Sequence, residues 1–172
     1  LQFLYIHTMG CFFQEKIADL PQIFGCVNKN KHGKVDLNLA IEKSCNCYFI
    51  SLGLTVGSDA IITLASELGF GNGVELCDGI TASAGNLPTE EDIDSSAALA
   101  NLSFGQGTLL ATPLQLASVY SAFANGGYYN EPHLFRFITD SNGEIDAYYI
   151  NETTRKVLTE GVCNRIMKML AA

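Results

Sequence analysis

Basic residues are scarce: 10 Lys and Arg stand against 18 Asp and Glu, a formal net charge of -8 over 172 residues. Binding to a phosphate backbone draws on clustered cations that release counterions, so nucleic acid is excluded as an expected partner. Long apolar runs are missing too. No stretch approaches the ~20 residues that cross a bilayer, and the opening LQFLYIHTMGCFF carries neither a basic leader nor a small-residue cleavage site. Neither a membrane span nor a signal peptide is expected within these residues. Internal repeats and low-complexity tracts are also lacking.

Cysteine pairs at metal-binding spacing are absent. The six cysteines fall at 11, 26, 45, 47, 77 and 163. A chain this long, with 48% hydrophobic residues, needs no disulfide framework, and free thiols are expected. Cys45 and Cys47 are too close for a Cys-x-x-Cys ligand pair, and His7, Cys11, Cys26 and His32 follow no recognised zinc spacing. No metal and no cofactor are therefore expected.

What is present is a set of helix signals. Asp36 followed by Leu37, Ala40 and Ile41 predicts a capped helix running to about Ser44. Cys45 and Asn46 interrupt it, and Asn46 is expected to cap a second helix carrying Tyr48, Phe49, Leu52 and Val56 to Gly57. Ser58 is expected to cap a third, DAIITLASEL, ended by Gly69 in a left-handed conformation. From Gly69 to Ser96 the Gly-, Asp- and Ser-rich sequence predicts a long irregular connection. Thr112-Pro113-Leu114-Gln115 combines a Thr cap, Pro in the first helical turn and a Gln that can reach back, so a helix follows to Asn125-Gly126-Gly127. Residues 134–139 and 144–149 around Asp140-Ser141-Asn142-Gly143 predict a β-hairpin, and a final helix is expected from about 151. The chain is thus expected to be mainly α with one β-hairpin. The apolar start and the uncapped amphipathic end, NRIMKMLAA, both read as cut from something longer.

Two stretches carry a resemblance. HGKVDLNLAIEKSCNCYFISLG, from His32 to Gly53, resembles the segment of penicillin-binding-protein transpeptidase domains of the class B type that leads through a helix into the Ser-x-Asn motif and an aromatic pair. SFGQGTLLATPLQLASVYSAFANGG, from Ser103 to Gly127, resembles the Gly-Gln-Gly and Thr-Pro-Leu-Gln segment that follows that motif, in the same order and at a similar distance. The resemblance implies a helical subdomain, here 32–127, of the α+β serine β-lactamase-like fold, with a hairpin and terminal helix at 128–172. Residues 1–172 are on this reading part of a transpeptidase domain.

The resemblance also implies roles. Ser44 and Asn46 are the candidate catalytic residues: Ser44 relays a proton towards the leaving amine, since a hydroxyl donates and accepts at once. Asn46 holds the substrate carbonyl and contacts the catalytic Lys. Gly105, Gln106 and Gly107 are candidate substrate-binding residues, with Gln106 lining the cleft. The family attacks the D-Ala-D-Ala amide of a peptidoglycan stem peptide through an acyl-serine, and β-lactams mimic that substrate. Two of the three motifs of such sites, Ser-x-x-Lys and Lys-Thr-Gly, do not occur in these residues. The expected activity therefore needs the remainder of the domain, the chain alone is expected to be inert, and an exposed apolar face that favours a homodimer is anticipated. The parent is expected to be membrane-anchored on the extracytoplasmic side. A β-lactamase or β-lactam sensor, or a non-catalytic interaction module, are the alternative readings.

Overall fold

The computed structural model describes residues 9–11, 25–26, 32–148 and 153–171. In chain order these form β1 (Met9–Cys11), β2 (Gly33–Val35), α1 (Leu37–Glu42), α2 (Asn46–Val56), α3 (Ser58–Glu67), β3 (Val74–Cys77), β4 (Ile80–Ala82), α4 (Ser96–Ser103), α5 (Pro113–Ala124), β5 (Tyr128–Tyr129), β6 (Phe137–Thr139), β7 (Ile145–Tyr148), β8 (Arg155–Lys156) and α6 (Glu160–Leu170). Helices dominate, as expected. The single expected hairpin is corrected to four two-stranded antiparallel sheets among the described residues: β1-β2, β3-β4, β5-β8 and β6-β7. No described helix is long and apolar enough to cross a membrane.

Two compact units can be separated, and each has its own core. The first comprises Leu1–Thr63, Pro88–Leu109 and Ile166–Ala172. Its buried cluster joins Cys11, Cys26, Val35, Ala40, Cys45, Cys47, Tyr48, Ile50 and Ala100. Asp36 caps α1 by accepting from the Leu39 N–H at 2.9 Å, and Ser95 caps α4 by accepting from the Ala98 N–H at 3.2 Å. The α2 and α4 helices pack together through Gly53, where any Cβ would collide with the Ser103 side chain. A small residue there lets the two backbones approach, and that approach sets the end of α4 beside the start of α2.

The second unit comprises Leu64–Leu87 and Leu110–Arg165. Its helix α5 begins with the full capping box: the Thr112 hydroxyl accepts from the Gln115 N–H at 3.1 Å, and Gln115 Oε1 accepts from the Thr112 N–H at 2.9 Å. Gln115 is buried and also donates through Nε2 to the carbonyls of Gly69, at 3.0 Å, and Ala84, at 2.9 Å. One side chain thus caps a helix and satisfies two loop carbonyls. Leu68, Val119 and Ala122 form the core here, with Phe70, Phe123 and Val157 packed on it. Tyr129 is fully buried, with the Arg155 guanidinium 4.3 Å from its ring centre.

Further sequence expectations need correction, among them Ser58, which is the first residue of α3 rather than the residue before it. The connection from Gly69 to Ser96 is not wholly irregular: it folds into the β3-β4 hairpin, turned at Asp78-Gly79 with Gly79 at φ +78°. An Asp-Gly pair is itself a hairpin signal, masked here by the surrounding glycines. Helix α4 was not anticipated. The final helix starts at Glu160, because residues 155–156 extend to pair with Tyr128 and Tyr129; Tyr149 and Asn151 lie outside the described residues, as do Thr8 and His7.

Candidate functional site

The Ser44-Cys45-Asn46 motif sits where α1 stops. Its geometry is a Schellman closure: the Ser44 N–H bonds the Ile41 carbonyl at 3.1 Å and the Cys45 N–H bonds the Ala40 carbonyl at 2.8 Å. This closure requires a left-handed residue at its centre, normally glycine, because a Cβ is crowded there. Ser44 occupies it at φ +48°, and it is the one non-glycine residue at positive φ among those described. A strained backbone at a hydroxyl-bearing residue is the kind of outlier that concentrates at functional sites.

Asn46 differs from expectation. Cys45, not Asn46, is the N-cap of α2, and it makes no side-chain cap bond. Asn46 is the first helical residue, and its Nδ2 donates instead to the Gly25 carbonyl at 3.2 Å. The carboxamide is thereby oriented by a loop distant in sequence rather than spent on its own helix.

An open cleft of about 340 Å³ lies over this motif, lined by Ile41, Ser44, Asn46, Phe49, Ser103 and Phe104. That volume falls within the range of small-ligand sites. The walls follow from the fold: Ile41 precedes Ser44 by three residues, Asn46 and Phe49 share a face of α2, Ser103 arrives at the end of α4 through the Gly53 contact, and Phe104 follows as the C-cap. Ser103 Oγ donates to the Leu99 carbonyl at 2.6 Å, which fixes its rotamer. Phe49 stacks edge-on against Tyr48, with ring centres 5.7 Å apart.

The other sequence candidates follow directly. Gly105 closes α4 by the same Schellman pattern, at φ +78°, with its N–H on the Leu102 carbonyl at 3.0 Å and the Gln106 N–H on the Asn101 carbonyl at 2.9 Å. Gly107 is at φ +95°. Gly105, Gln106 and Gly107 are exposed and stand next to Phe104 without forming part of the cleft lining. Ile41, Phe49, Ser103 and Phe104 were not picked out from sequence as site residues. The i, i+3 relation of Asn46 to Phe49 is the signal that could have found one of them.

Beneath the motif the fold gathers residues that sequence spacing kept apart. Cys11, Cys26, His32 and Cys45 place one ligand atom each within 4.8 Å of all the others. Cys11 Sγ lies 3.4 Å from Cys26 Sγ and 3.6 Å from His32 Nδ1, and Cys26 Sγ lies 3.9 Å from Cys45 Sγ. The three thiols are buried and His32 is half-buried. Burial pushes the Cys26 thiol up, but hydrogen bonds from the Cys47 and Asn46 backbone and from the Cys11 and Cys45 side chains outweigh it, and its pKa is lowered overall. Burial pushes Cys45 up to about 12, and the nearby Cys26 and Cys11 charges add to that. Cys47 is likewise raised, first by burial and then by the same two thiols. Cys26 therefore ionises before Cys45 and Cys47, and its charge opposes ionisation of those two. Those four side chains could hold a metal, against the expectation drawn from spacing alone.

Comparison with known proteins places this geometry in a family. Residues 12–169 match the family described as the penicillin binding protein transpeptidase domain. The peptidoglycan D,D-transpeptidase MrdA of Haemophilus influenzae is 33% identical over 119 residues, covering 64% of this chain and 18% of that protein. The peptidoglycan D,D-transpeptidase PbpA of Mycolicibacterium smegmatis is 35% identical over 138 residues, covering 80% of this chain and 27% of that protein. The chain thus spans about a fifth to a quarter of the length of these relatives. Among solved structures, an imipenem acyl-enzyme complex of penicillin-binding protein A from M. tuberculosis superimposes with a TM-score of 0.83 at 21% identity, covering 96% of this chain and 38% of that one. The D,D-transpeptidase domain of a peptidoglycan glycosyltransferase from Eggerthella lenta gives 0.81 at 23% identity, covering 95% and 42%. With a family match over most of its length and the fold of these domains, the chain belongs to the penicillin-binding protein transpeptidase domain family.

Proposed function

We propose that this chain is the Ser-x-Asn-bearing part of a peptidoglycan D,D-transpeptidase, acting on the extracytoplasmic side of the membrane where its cell-wall substrate lies. The observation that carries the reading is Ser44 held at φ +48° on the rim of a cleft it shares with Asn46. Within the whole domain, a serine from a Ser-x-x-Lys segment attacks the D-Ala-D-Ala carbonyl and forms an acyl-serine. The departing D-Ala nitrogen needs a proton as its bond to the carbonyl breaks. Ser44 passes that proton on: its Oγ gives its own proton to the nitrogen and takes one from the lysine ammonium, so the hydroxyl is unchanged at the end of the step. Asn46 holds the peptide carbonyl through its amide, and the Gly25 carbonyl that accepts from Nδ2 fixes the rotamer. An amine of a neighbouring strand then takes the acyl group and restores the serine. β-Lactams enter the same cleft and stall as acyl-enzymes.

Gly105, Gln106 and Gly107 border this cleft in the proposal, with Gln106 meeting substrate beside Phe104. The 172-residue chain corresponds to the helical subdomain at 32–127 followed by hairpin and terminal helix at 128–172. The exposed apolar side chains include Leu110, Leu134, Ile138 and Tyr148, and we infer that in isolation they drive pairing of two copies, which light scattering would read as a dimer. Fluorescent penicillin tests the main reading. The chain alone remains unlabelled, the parent protein is labelled, and Ser44→Ala in the parent slows acylation by roughly 10²-fold or more. Labelling of the isolated chain, or an unchanged rate in the Ser44→Ala parent, overturns it.

A further inference from the structure

We propose that Gly53, about two turns along α2 from Asn46, is a positioning residue of the cleft: the close approach it allows between α2 and α4 fixes how far the Ser103-Phe104 wall stands from Ser44, Asn46 and Phe49. That width selects which ligand side chains seat against the motif. The proposal rests on the transpeptidase reading, since the ligands that test it are β-lactams.

A glycine at this position needs a reason. It lies inside α2, where glycine is a poorer helix former than alanine, and it is not among the glycines at positive φ. No left-handed backbone therefore calls for it. Gly53 is buried, and a Cβ built there would run into both Oγ and Cβ of Ser103. Rotating Ser103 relieves only the first clash and forfeits the 2.6 Å bond that its Oγ donates to the Leu99 carbonyl. The Ser103 Cβ moves only if α4 moves, and restoring ordinary carbon-carbon contact would part the two helices by ~1 Å.

Such a shift is carried straight to the cleft. Asn46, Phe49 and Gly53 recur at i, i+3 and i+7 along one face of α2. Ser103 ends α4 and Phe104 is its C-cap. The Gly105 N–H on the Leu102 carbonyl at 3.0 Å and the Gln106 N–H on the Asn101 carbonyl at 2.9 Å tie Phe104 to the last turn of that helix. Ser103 and Phe104 therefore travel with α4 while Asn46 and Phe49 stay with α2, and the cleft of about 340 Å³ between them opens. Gly53 is not among the lining residues, so it acts on a ligand through those side chains. A glycine kept for helix packing alone would affect stability and leave ligand selection untouched.

The test uses the parent protein, with the fraction of molecules able to label counted first so that every rate refers to folded protein. Two penicillins that differ only in side-chain bulk serve as probes, one bearing acetamide and the other, penicillin G, bearing phenylacetamide. In Gly53→Ala the second-order rate of acylation by the acetamide compound is expected to fall roughly 10–100-fold, the penalty of a misplacement near 1 Å. Penicillin G loses less, because its ring fills part of the added width. With Ser103→Gly as background, the nearest remaining atom, the Cα of residue 103, stands 3.5 Å from a Cβ at 53. There Gly53→Ala is expected to change neither the rate nor the preference between the two compounds, so the two substitutions are strongly non-additive. An equal loss for both penicillins, a loss that persists in the Ser103→Gly background, or a smaller labelled fraction at an unchanged rate overturns the proposal. If Gly53→Ala yields no folded parent, Ser103→Cys sets a larger sulfur over Gly53 and is expected to shift the preference the same way by a smaller factor; an unshifted preference overturns the proposal. A parent that neither penicillin labels sinks the transpeptidase reading and this one with it, whereas a labelled parent indifferent to Gly53→Ala sinks only this one.

Discussion

The ends of α3 and α1, two of the helix ends in this protein that share one backbone closure, have different residues at its centre. At the end of α3, Gly69 takes the left-handed position at φ +89°, with its N–H on the Ser66 carbonyl at 3.0 Å and the Phe70 N–H on the Ala65 carbonyl at 3.0 Å. At the end of α1 the same pair of bonds closes around Ser44 at φ +48°. Helix α4 uses Gly105 in the same way, and after helix α5 Gly126 is left-handed at φ +82° with the Gly127 N–H on the Ala122 carbonyl at 2.7 Å. At Gly69, Gly105 and Gly126 the chain places glycine in the left-handed position; at the motif it accepts the strain of a side chain. No backbone requirement favours serine there, and on the proposed mechanism its hydroxyl is the reason for the residue.

The largest way to break the comparison is to impose a side chain on the glycine end. Gly69→Ala would put a Cβ into the phenol of Tyr129, a side chain only 1% exposed and unable to swing aside. The left-handed penalty of about 1–2 kcal/mol and overpacking of about 1–3 kcal/mol combine to a loss of about 3–4 kcal/mol. Urea unfolding measures it. A loss below about 1 kcal/mol would show that left-handed closures here tolerate side chains cheaply, and Ser44 would lose its significance.

Next in size is the support of that glycine end. Gln115→Ala removes the donors to the Gly69 and Ala84 carbonyls and the acceptor for the Thr112 N–H. Leaving polar groups unpaired next to a buried site costs about 2–3 kcal/mol. Gln115→Glu is the sharper probe, because it keeps an acceptor for Thr112 and loses the amide donors; its loss should account for most of the effect in the same denaturation series. The support of the serine end is smaller. Asp36→Ala removes the cap from six-residue α1, at about 1 kcal/mol, and should loosen the Ser44 turn, seen as faster amide exchange at Cys45.

Much of this contrast was legible in the residues. The Asp36 cap, the Thr112-Gln115 box and Gly69 as a left-handed stop each depend on local chemistry, and each is found where local chemistry puts it. The turn at Asp140 to Gly143 was readable for the same reason, although its strands are shorter than the alternation suggests. What could not be read depends on distance. The Gly53 and Ser103 contact that builds the cleft, the Gly25 carbonyl that diverts Asn46 from capping, and the meeting of Cys11, Cys26, His32 and Cys45 all join residues from separate stretches of chain. Ligand spacing rules describe sites built within one loop, and a site assembled by folding leaves no such spacing.

The smallest expected effect separates strain from function most cleanly. Ser44→Gly relieves a left-handed penalty of about 1–2 kcal/mol, and glycine's freedom in the unfolded chain takes back about 0.4–1 kcal/mol. A net gain of roughly 0.5–1 kcal/mol remains. Ser44→Ala keeps a Cβ at φ +48° and is expected to leave stability within about 0.5 kcal/mol of the original. Both substitutions delete the hydroxyl, so on the proposed mechanism both parents lose acylation to the same degree, while only the glycine form unfolds at higher urea. If Ser44→Gly proved no more stable than Ser44→Ala, the turn would be unstrained and serine would be as much at home there as glycine. If instead Ser44→Gly were more stable and still acylated at the normal rate, the strain would be real and the proton relay would have to run through another group.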